Sequence, residues 1–296
     1  MSSTDGLAGR GAGADGEAVR VAEATALDGT TTARDRLLAA TRGAGSRGPR
    51  ARPRGGDALC VERWDGDEVV PFSSVRRRTA THLRDSLEVA APALIVAQVD
   101  YTAVERARAA ARRDGRRLTY LPFVARATVD ALREFPLVNG VVDGDAVVVR
   151  RPINLGISVD LDFDGLVVPV IRDADRLVLS ALAGRIADLA ERARARRLEP
   201  DDLARGTFTI TNAGGYGTLV TAPILHHPQV AILSTDGVRP TPVAVDDGHG
   251  GYAVAVRPAG NLSLTFDHRA FDGAYAASFL DTVRRTLEDR DWELER

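Results

Sequence analysis

Near residue 66 the chain changes character, and that break limits what can fold. Residues 1 to 65 are mostly Gly, Ala, Arg, Ser and Thr, with few large apolar side chains. Such a stretch cannot bury enough surface to offset the entropy of ordering it. A disordered tail is therefore expected over 1–66 and one folded domain over 67–296. Within the tail, 32–41 suggests a short helix. Residues 43–56 carry Arg47, Arg50, Arg52 and Arg54 with no acidic residue. That composition suits a solvated linker better than a docking arm.

From about Glu68 periodic patterns take over. Ser73 or Ser74 can cap a helix running to about Leu87. Residues 92–100 are an apolar run with β-branched members and read as a buried strand. A helix rich in Ala and Arg follows over 102–113. Residues 119–135 read as an amphipathic helix with Leu121, Val124, Thr128, Ala131, Leu132 and Phe135 near one face. Asp143-Gly144-Asp145 turns a hairpin over 141–149. Strands are predicted at 154–162 and 165–172, around Asp164-Gly165, and a long helix over 180–197. Further strands are predicted at 207–211, 229–234, 252–257 and 261–266, then a helix over 271–287. Strands and helices mixed without regular βαβ alternation predict an α+β two-layer sandwich, helices over a mixed sheet.

Composition excludes several function classes. The net charge is -2, so nothing points to nucleic acid or an anionic membrane surface. No apolar run approaches the roughly 20 residues of a membrane helix. The start, Met1 to Gly6, has neither the basic nor the apolar region of a secretory signal. Cys60 is the only cysteine, so no internal disulfide forms, which fits a reducing cytoplasm. It is also a poor candidate nucleophile. Every basic side chain is arginine. Schiff-base chemistry, a phosphate-loop lysine and a lysine-linked prosthetic group are all excluded on these residues. His226 and His227 precede Pro228 without a supporting Cys or His at ligand spacing, so no metal is expected. His82 and His249 read as ordinary surface or helix residues.

Two segments carry candidate chemistry. His268 follows the apolar strand Leu262–Phe266 and precedes a helix, at the kind of strand end where α/β folds place reactive groups. Asp272 sits four residues on, at the helix start, where the helix dipole favours a carboxylate. Gly273 would let a second chain segment come close. An oriented imidazole can deprotonate a thiol or hydroxyl. By itself His-x-x-x-Asp-Gly is short, and a histidine that merely caps the helix fits it as well. The second segment, Gly206–Gly217, is a β run that breaks into a glycine-rich turn. Thr211 could donate to an oxyanion and Asn212 could add a polar contact. Gly214 and Gly215 would let a ligand lie against backbone, although such turns more often serve only as tight connections.

Taken together, the segments resemble a family. Arg205–Asp236 and Asn261–Leu280 are similar to the catalytic core of the dihydrolipoamide acyltransferases of 2-oxo-acid dehydrogenase complexes. Gly165–Asp175, Val75–Arg78 and Leu137–Gly140 look like three further family blocks, in order, within about residues 68 to 290. The resemblance implies the fold of chloramphenicol acetyltransferase and transfer of an acyl group between coenzyme A and a dihydrolipoyl-type thiol. It implies that His268 is the general base and that Thr211 stabilises the oxyanion. Asp272 would support the site by pairing with Arg76, while Asn212, Gly214 and Gly215 would line the substrate and coenzyme A side. It further implies a homotrimer in which His268 of one subunit faces Thr211 of its neighbour.

The chain departs from the family in places. It shows no lipoyl domain, so the lipoyl group is expected in trans, on a separate lipoyl-carrier protein working with dehydrogenase subunits. The His usual after Pro92 is replaced by Ala93, and Thr79 replaces a usual apolar residue. The charged C-terminus offers only Trp292 and Leu294 for plugging a neighbouring trimer, so a trimer is expected and a larger shell is not. Two alternatives remain beside the main reading. One is a coenzyme-A-dependent acyltransferase of specialised metabolism with another acceptor. The other is a non-catalytic trimeric scaffold.

Overall fold

The computed structural model describes residues 62–295. Nearly all of the expected tail lies outside them, with the short helix at 32–41, the arginine-rich stretch and Cys60. Ser73 caps the first helix, α1 (Ser74–Val89), by accepting from the Arg76 backbone N–H, which satisfies one of the orphan donors of the first turn. Strand β1 (Pro92–Asp100), helix α2 (Thr102–Arg113) and helix α3 (Leu121–Glu134) follow. A hairpin comes next, β2 (Gly140–Asp143) and β3 (Ala146–Val149). Four short strands succeed it: β4 (Leu155–Ile157), β5 (Val159–Asp160), β6 (Leu166–Val167) and β7 (Val170–Ile171). The rest is helix α4 (Leu179–Arg194), strands β8 (Phe208–Asn212), β9 (Ala231–Thr235), β10 (Arg239–Asp246) and β11 (Tyr252–Asp267), and helix α5 (Gly273–Asp289).

The main sheet runs β1-β11-β9-β8-β4-β7, with β10 paired to the first half of β11. It is mixed: β8 runs parallel to β4 and β9, while β11 runs antiparallel to β1, β9 and β10. Residues alternate between its faces. One row across four strands, Ile95, Leu264, Leu233 and Ile210, is in mutual register; the last three belong to the core and Ile95 packs against it. Phe208, on the same face as Ile210, meets Phe279 of α5 at 6.0 Å between rings. The helices therefore cover this face, and the expected sandwich of helices over a mixed sheet is what forms.

Several elements differ from the sequence reading. The strands expected at 154–162 and 165–172 each break into two short strands, of which β5 and β6 pair in a small sheet of their own. Helix α3 is buried almost all round and not only on the one expected face, because it lies inside the helical layer against α4 and α5. Its one large polar burden, Arg126, is neutralised by Asp130 and by the Leu177 carbonyl at 2.7 Å. Strand β1 is a half-exposed edge: only β11 pairs with it, and Leu94 and Val96 are open to solvent because alternate residues point to the face away from the helices. The strands expected at 252–257 and 261–266 are one strand, β11, and its hairpin partner β10 was not anticipated. Pro240 and Pro242 disguised β10, since proline argues against a central strand and is tolerated at an edge.

Trp292, weighed with Leu294 as a meagre terminal apolar pair, is a core residue. It is 1% exposed, stands edge-on to Phe123 at 5.3 Å and donates to the Leu287 carbonyl at 3.2 Å. Leu294 is 84% exposed. His82 is a helix residue, within α1, but an inward one. Its ring lies 4.6 Å from that of His226, its Nε2 is buried without a partner, and nearby Ser86 Oγ donates to the Leu225 carbonyl at 2.7 Å. Burial pushes His226 down to about 4, and the neighbouring His82 and His227 add to the effect.

Two outcomes follow from this packing. Trp292→Ala should lose about 3–5 kcal/mol in a denaturant titration, as large-to-small core changes do, while Leu294→Ala should stay within about 0.5 kcal/mol of the parent. His226 is held neutral in the fold but protonates near 6.5 when unfolded. It therefore contributes stability that is present above pH 6.5 and is lost as the pH falls towards 4. His226→Asn should flatten that acid slope of melting temperature; an unchanged slope would refute the assignment.

Candidate active site

His268 stands where β11 gives way to α5, and the turn that carries it is pinned by a buried carboxylate. Asp267, 3% exposed, accepts from the Arg269 guanidinium at 2.6 and 3.0 Å, from the Arg269 amide at 3.0 Å and from the Ala91 amide at 3.2 Å. Ala91 returns the bond, its carbonyl accepting from the His268 amide at 2.9 Å. Burial alone would raise the Asp267 pKa, but Arg269 and the two amides hold it below the usual carboxylate range. Sequence reasoning missed both Asp267 and Arg269. Their only signal was the sign of the charges flanking His268.

The imidazole itself is accessible. Its side chain is 49% exposed and rests against Phe266, 5.4 Å between ring centroids, which in turn stacks on Phe271. Asp272 is the N-cap of α5, with its carboxylate 90% exposed and one oxygen 3.7 Å from His268 Nδ1. That is too long for a hydrogen bond. The expected pairing of Asp272 with Arg76 is not made within the protomer. Arg76 lies in the first turn of α1 while Ala91, next to His268, lies past its last. At roughly 1.5 Å per residue the helix separates them by about 20 Å. Nor, its chain neighbours and own helix backbone aside, does any described residue come within 4 Å of a Cβ placed on Gly273, so the close approach expected there is not internal.

Thr211 and Asn212 end β8, Thr211 half-buried and Asn212 exposed. Asn212 Oδ1 accepts from the Gly214 amide at 2.9 Å, which starts a tight turn over Gly214–Tyr216. A Cβ on Gly214 would stand 2.8 Å from the Asp236 carbonyl oxygen, so this glycine is demanded by backbone packing. Gly215 is exposed at the crest of the turn. Thr211 and His268 do not meet in the protomer. Thr211 is in register with Ser234, and Ser234 with Ser263. His268 lies five residues beyond Ser263, so ordinary strand spacings set the two about 17 Å apart along the sheet and about 10 Å across it. His226 and His227 lie in a separate loop, beside α1.

The comparisons with known proteins concern the fold and the family. The chain is 42% identical over 228 residues to the dihydrolipoyllysine-residue acetyltransferase component of the pyruvate dehydrogenase complex of Mycobacterium tuberculosis, covering 75% of this chain and 41% of that protein. It is 37% identical to the dihydrolipoyllysine-residue succinyltransferase component of the 2-oxoglutarate dehydrogenase complex of Bacillus subtilis, covering 75% of this chain and 53% of that one. The chain thus spans about half or less of the length of these curated relatives. Among solved structures, a probable dihydrolipoamide acetyltransferase from Listeria monocytogenes matches with a TM-score of 0.70 at 35% identity, over 75% of this chain and 94% of that one. The dihydrolipoamide acetyltransferase of Azotobacter vinelandii matches with a TM-score of 0.72 at 32% identity, over 78% and 98% of the two chains. In that enzyme a serine, a histidine and an asparagine four residues after the histidine were studied for their role in the catalytic mechanism. The family model for 2-oxoacid dehydrogenases acyltransferase (catalytic domain) covers residues 65–294. Sharing fold, sequence and motif order over that span, the chain belongs to the family of 2-oxoacid dehydrogenase acyltransferase catalytic domains.

Proposed function

We propose that this domain transfers an acyl group between coenzyme A and a dihydrolipoyl-type thiol, in a site shared by two copies of the chain within a homotrimer. The observation that carries the reading is the placement of His268: an exposed imidazole on a rigidly pinned turn, at the opposite end of the sheet from Thr211. Neither residue can serve the other within one protomer, and a second copy supplies the missing half. The lipoyl group would be borne outside these 296 residues, which contain no lysine.

The chemistry follows from the geometry. With Nδ1 turned towards Asp272, Nε2 of His268 is the free base. It takes the proton of the incoming thiol, and the thiolate attacks the thioester carbonyl carbon. The hydroxyl of Thr211 of the partner subunit donates to the oxyanion that forms. Collapse of the tetrahedral intermediate expels the other thiolate, which takes the proton back from the imidazolium. Asp272 stabilises that imidazolium while it lasts. Asn212, Gly214 and Gly215 line the approach to Thr211, and Arg76 reaches Asp272 only across a subunit boundary. No metal enters the scheme.

A thioester-exchange assay with free dihydrolipoamide and a set of acyl-coenzyme A donors tests the reading. His268→Ala should lower kcat by about 10²–10⁴, and Thr211→Val by about 10²–10³. Refolding the two inactive variants together should restore activity that neither has alone, because mixed trimers contain sites with both groups intact. Wild type that moves no acyl group to dihydrolipoamide or to any other tested acceptor would leave only a scaffold role. Activity with an unrelated acceptor would favour the specialised-metabolism alternative. A mass of three protomers in light scattering is the expected assembly.

A further inference from the structure

The mechanism leaves one buried carboxylate unused. Asp236 is 3% exposed, and among the described residues no arginine or histidine pairs with it. It follows directly on Thr235, the register partner of Asn212, so it stands beside the point where β8 ends. Its oxygens are filled by neutral donors. Thr218 Oγ1 and Thr221 Oγ1 donate to Oδ1 at 2.6 and 2.7 Å, while the Thr221 amide and Ser263 Oγ lie 3.2 and 3.5 Å from Oδ2. An ionised carboxylate accepts several such bonds and donates none, and it persists in a dry setting only when they are made. Three of the four come from residues 218–221, on the segment that leaves β8 just after Thr211 and Asn212.

The backbone around Asp236 reinforces the same contact. The Gly237 amide donates to the Thr218 carbonyl at 3.1 Å, and the Ala213 amide to the Thr235 carbonyl at 3.2 Å. Gly214 packs so closely on the Asp236 carbonyl that no other residue fits, and Asn261 Nδ2 donates to the Leu219 carbonyl at 2.8 Å. Held from behind in this way, the segment turns Tyr216, Leu219 and Val220 outward, all exposed.

From this arrangement we infer that Asp236 is a positioning residue: its carboxylate clamps the segment 213–221 in the shape that a thioester meets on its way to Thr211. The inference rests on the acyl-transfer reading for its kinetic consequence and on the hydrogen bonds alone for the clamp. A clamp acting on substrate approach raises KM while leaving the chemistry at His268 in place. A mere loss of folded protein lowers apparent kcat and leaves KM unchanged.

The test compares wild type with Asp236→Asn, Thr218→Val and Thr221→Val, assayed as assembled protein with acetyl-coenzyme A and dihydrolipoamide. The two threonine variants keep side-chain shape, so they carry the test if Asp236→Asn fails to fold. The expected result is a KM for the thioester raised on the order of ten-fold, the effect of removing a hydrogen bond to a charged group, with kcat nearly unchanged and with rescue by Thr221→Ser. In parallel, hydrogen exchange of amides 214–221 should accelerate in the variants, while β8 and β9 stay protected. Unchanged KM, or a fall in kcat that tracks the folded fraction, overturns the positioning role. Exchange in 214–221 that matches wild type overturns the clamp, whether or not the wild type transfers acyl groups. Wild type lacking that activity overturns the acyl-transfer reading and the KM claim with it, while exchange still decides the clamp.

Discussion

Strand β11 is the member on which the rest of the structure depends. Its second half is bonded on both edges, to β1 and to β9, and it ends at the turn that carries His268. Because strand residues alternate strictly, the register that sends Leu264 into the core also sends Ser263 to the opposite face, in line with Ser234 and Thr211. A slip of one residue would exchange the two sets. The same pairing that builds the core therefore decides where the polar row lies and where the histidine emerges.

Two buried carboxylates then fix the polar ends of this frame, by different means. Asp267 is balanced by a guanidinium and by backbone amides, and it ties the histidine turn to the segment joining α1 to β1. Asp236 has only hydroxyls and an amide around it, and it ties the glycine-rich segment to the end of β9. Each is expensive to bury and becomes tolerable only with its partners in place. Each therefore makes its loop conform to the sheet instead of wandering at its end. One lies near His268 and the other near Thr211, so each end of the sheet has its own buried carboxylate tie.

Much of this was legible in the residues. Local signals placed α2 and β1 within their observed bounds, because an Ala/Arg helix and a β-branched apolar run are self-announcing. The strand-to-helix junction at His268 and the turn after Thr211 were legible for the same reason. Where reading failed, the deciding contact was remote. Helix α3 looked one-sided because Val129 and Ala127 carry no label saying that a second helix covers them. Strand β10 was hidden by prolines that only an edge position permits. Trp292 looked like a loose terminal aromatic until Phe123, far back in the chain, was seen to receive it.

By itself the sequence determined most of the local strands and helices, the absence of lysine chemistry and which side chains are candidates for the reactive groups, since these rest on composition and on neighbours a few residues apart. The tertiary structure alone decided that Thr211 and His268 occupy opposite ends of one sheet, that Arg76 is a helix length from Asp272 and that Asp236 grips the segment beyond β8. The physical reason is that strand register and helix placement follow from burial against partners distant in the chain, and no local pattern encodes which partner that is.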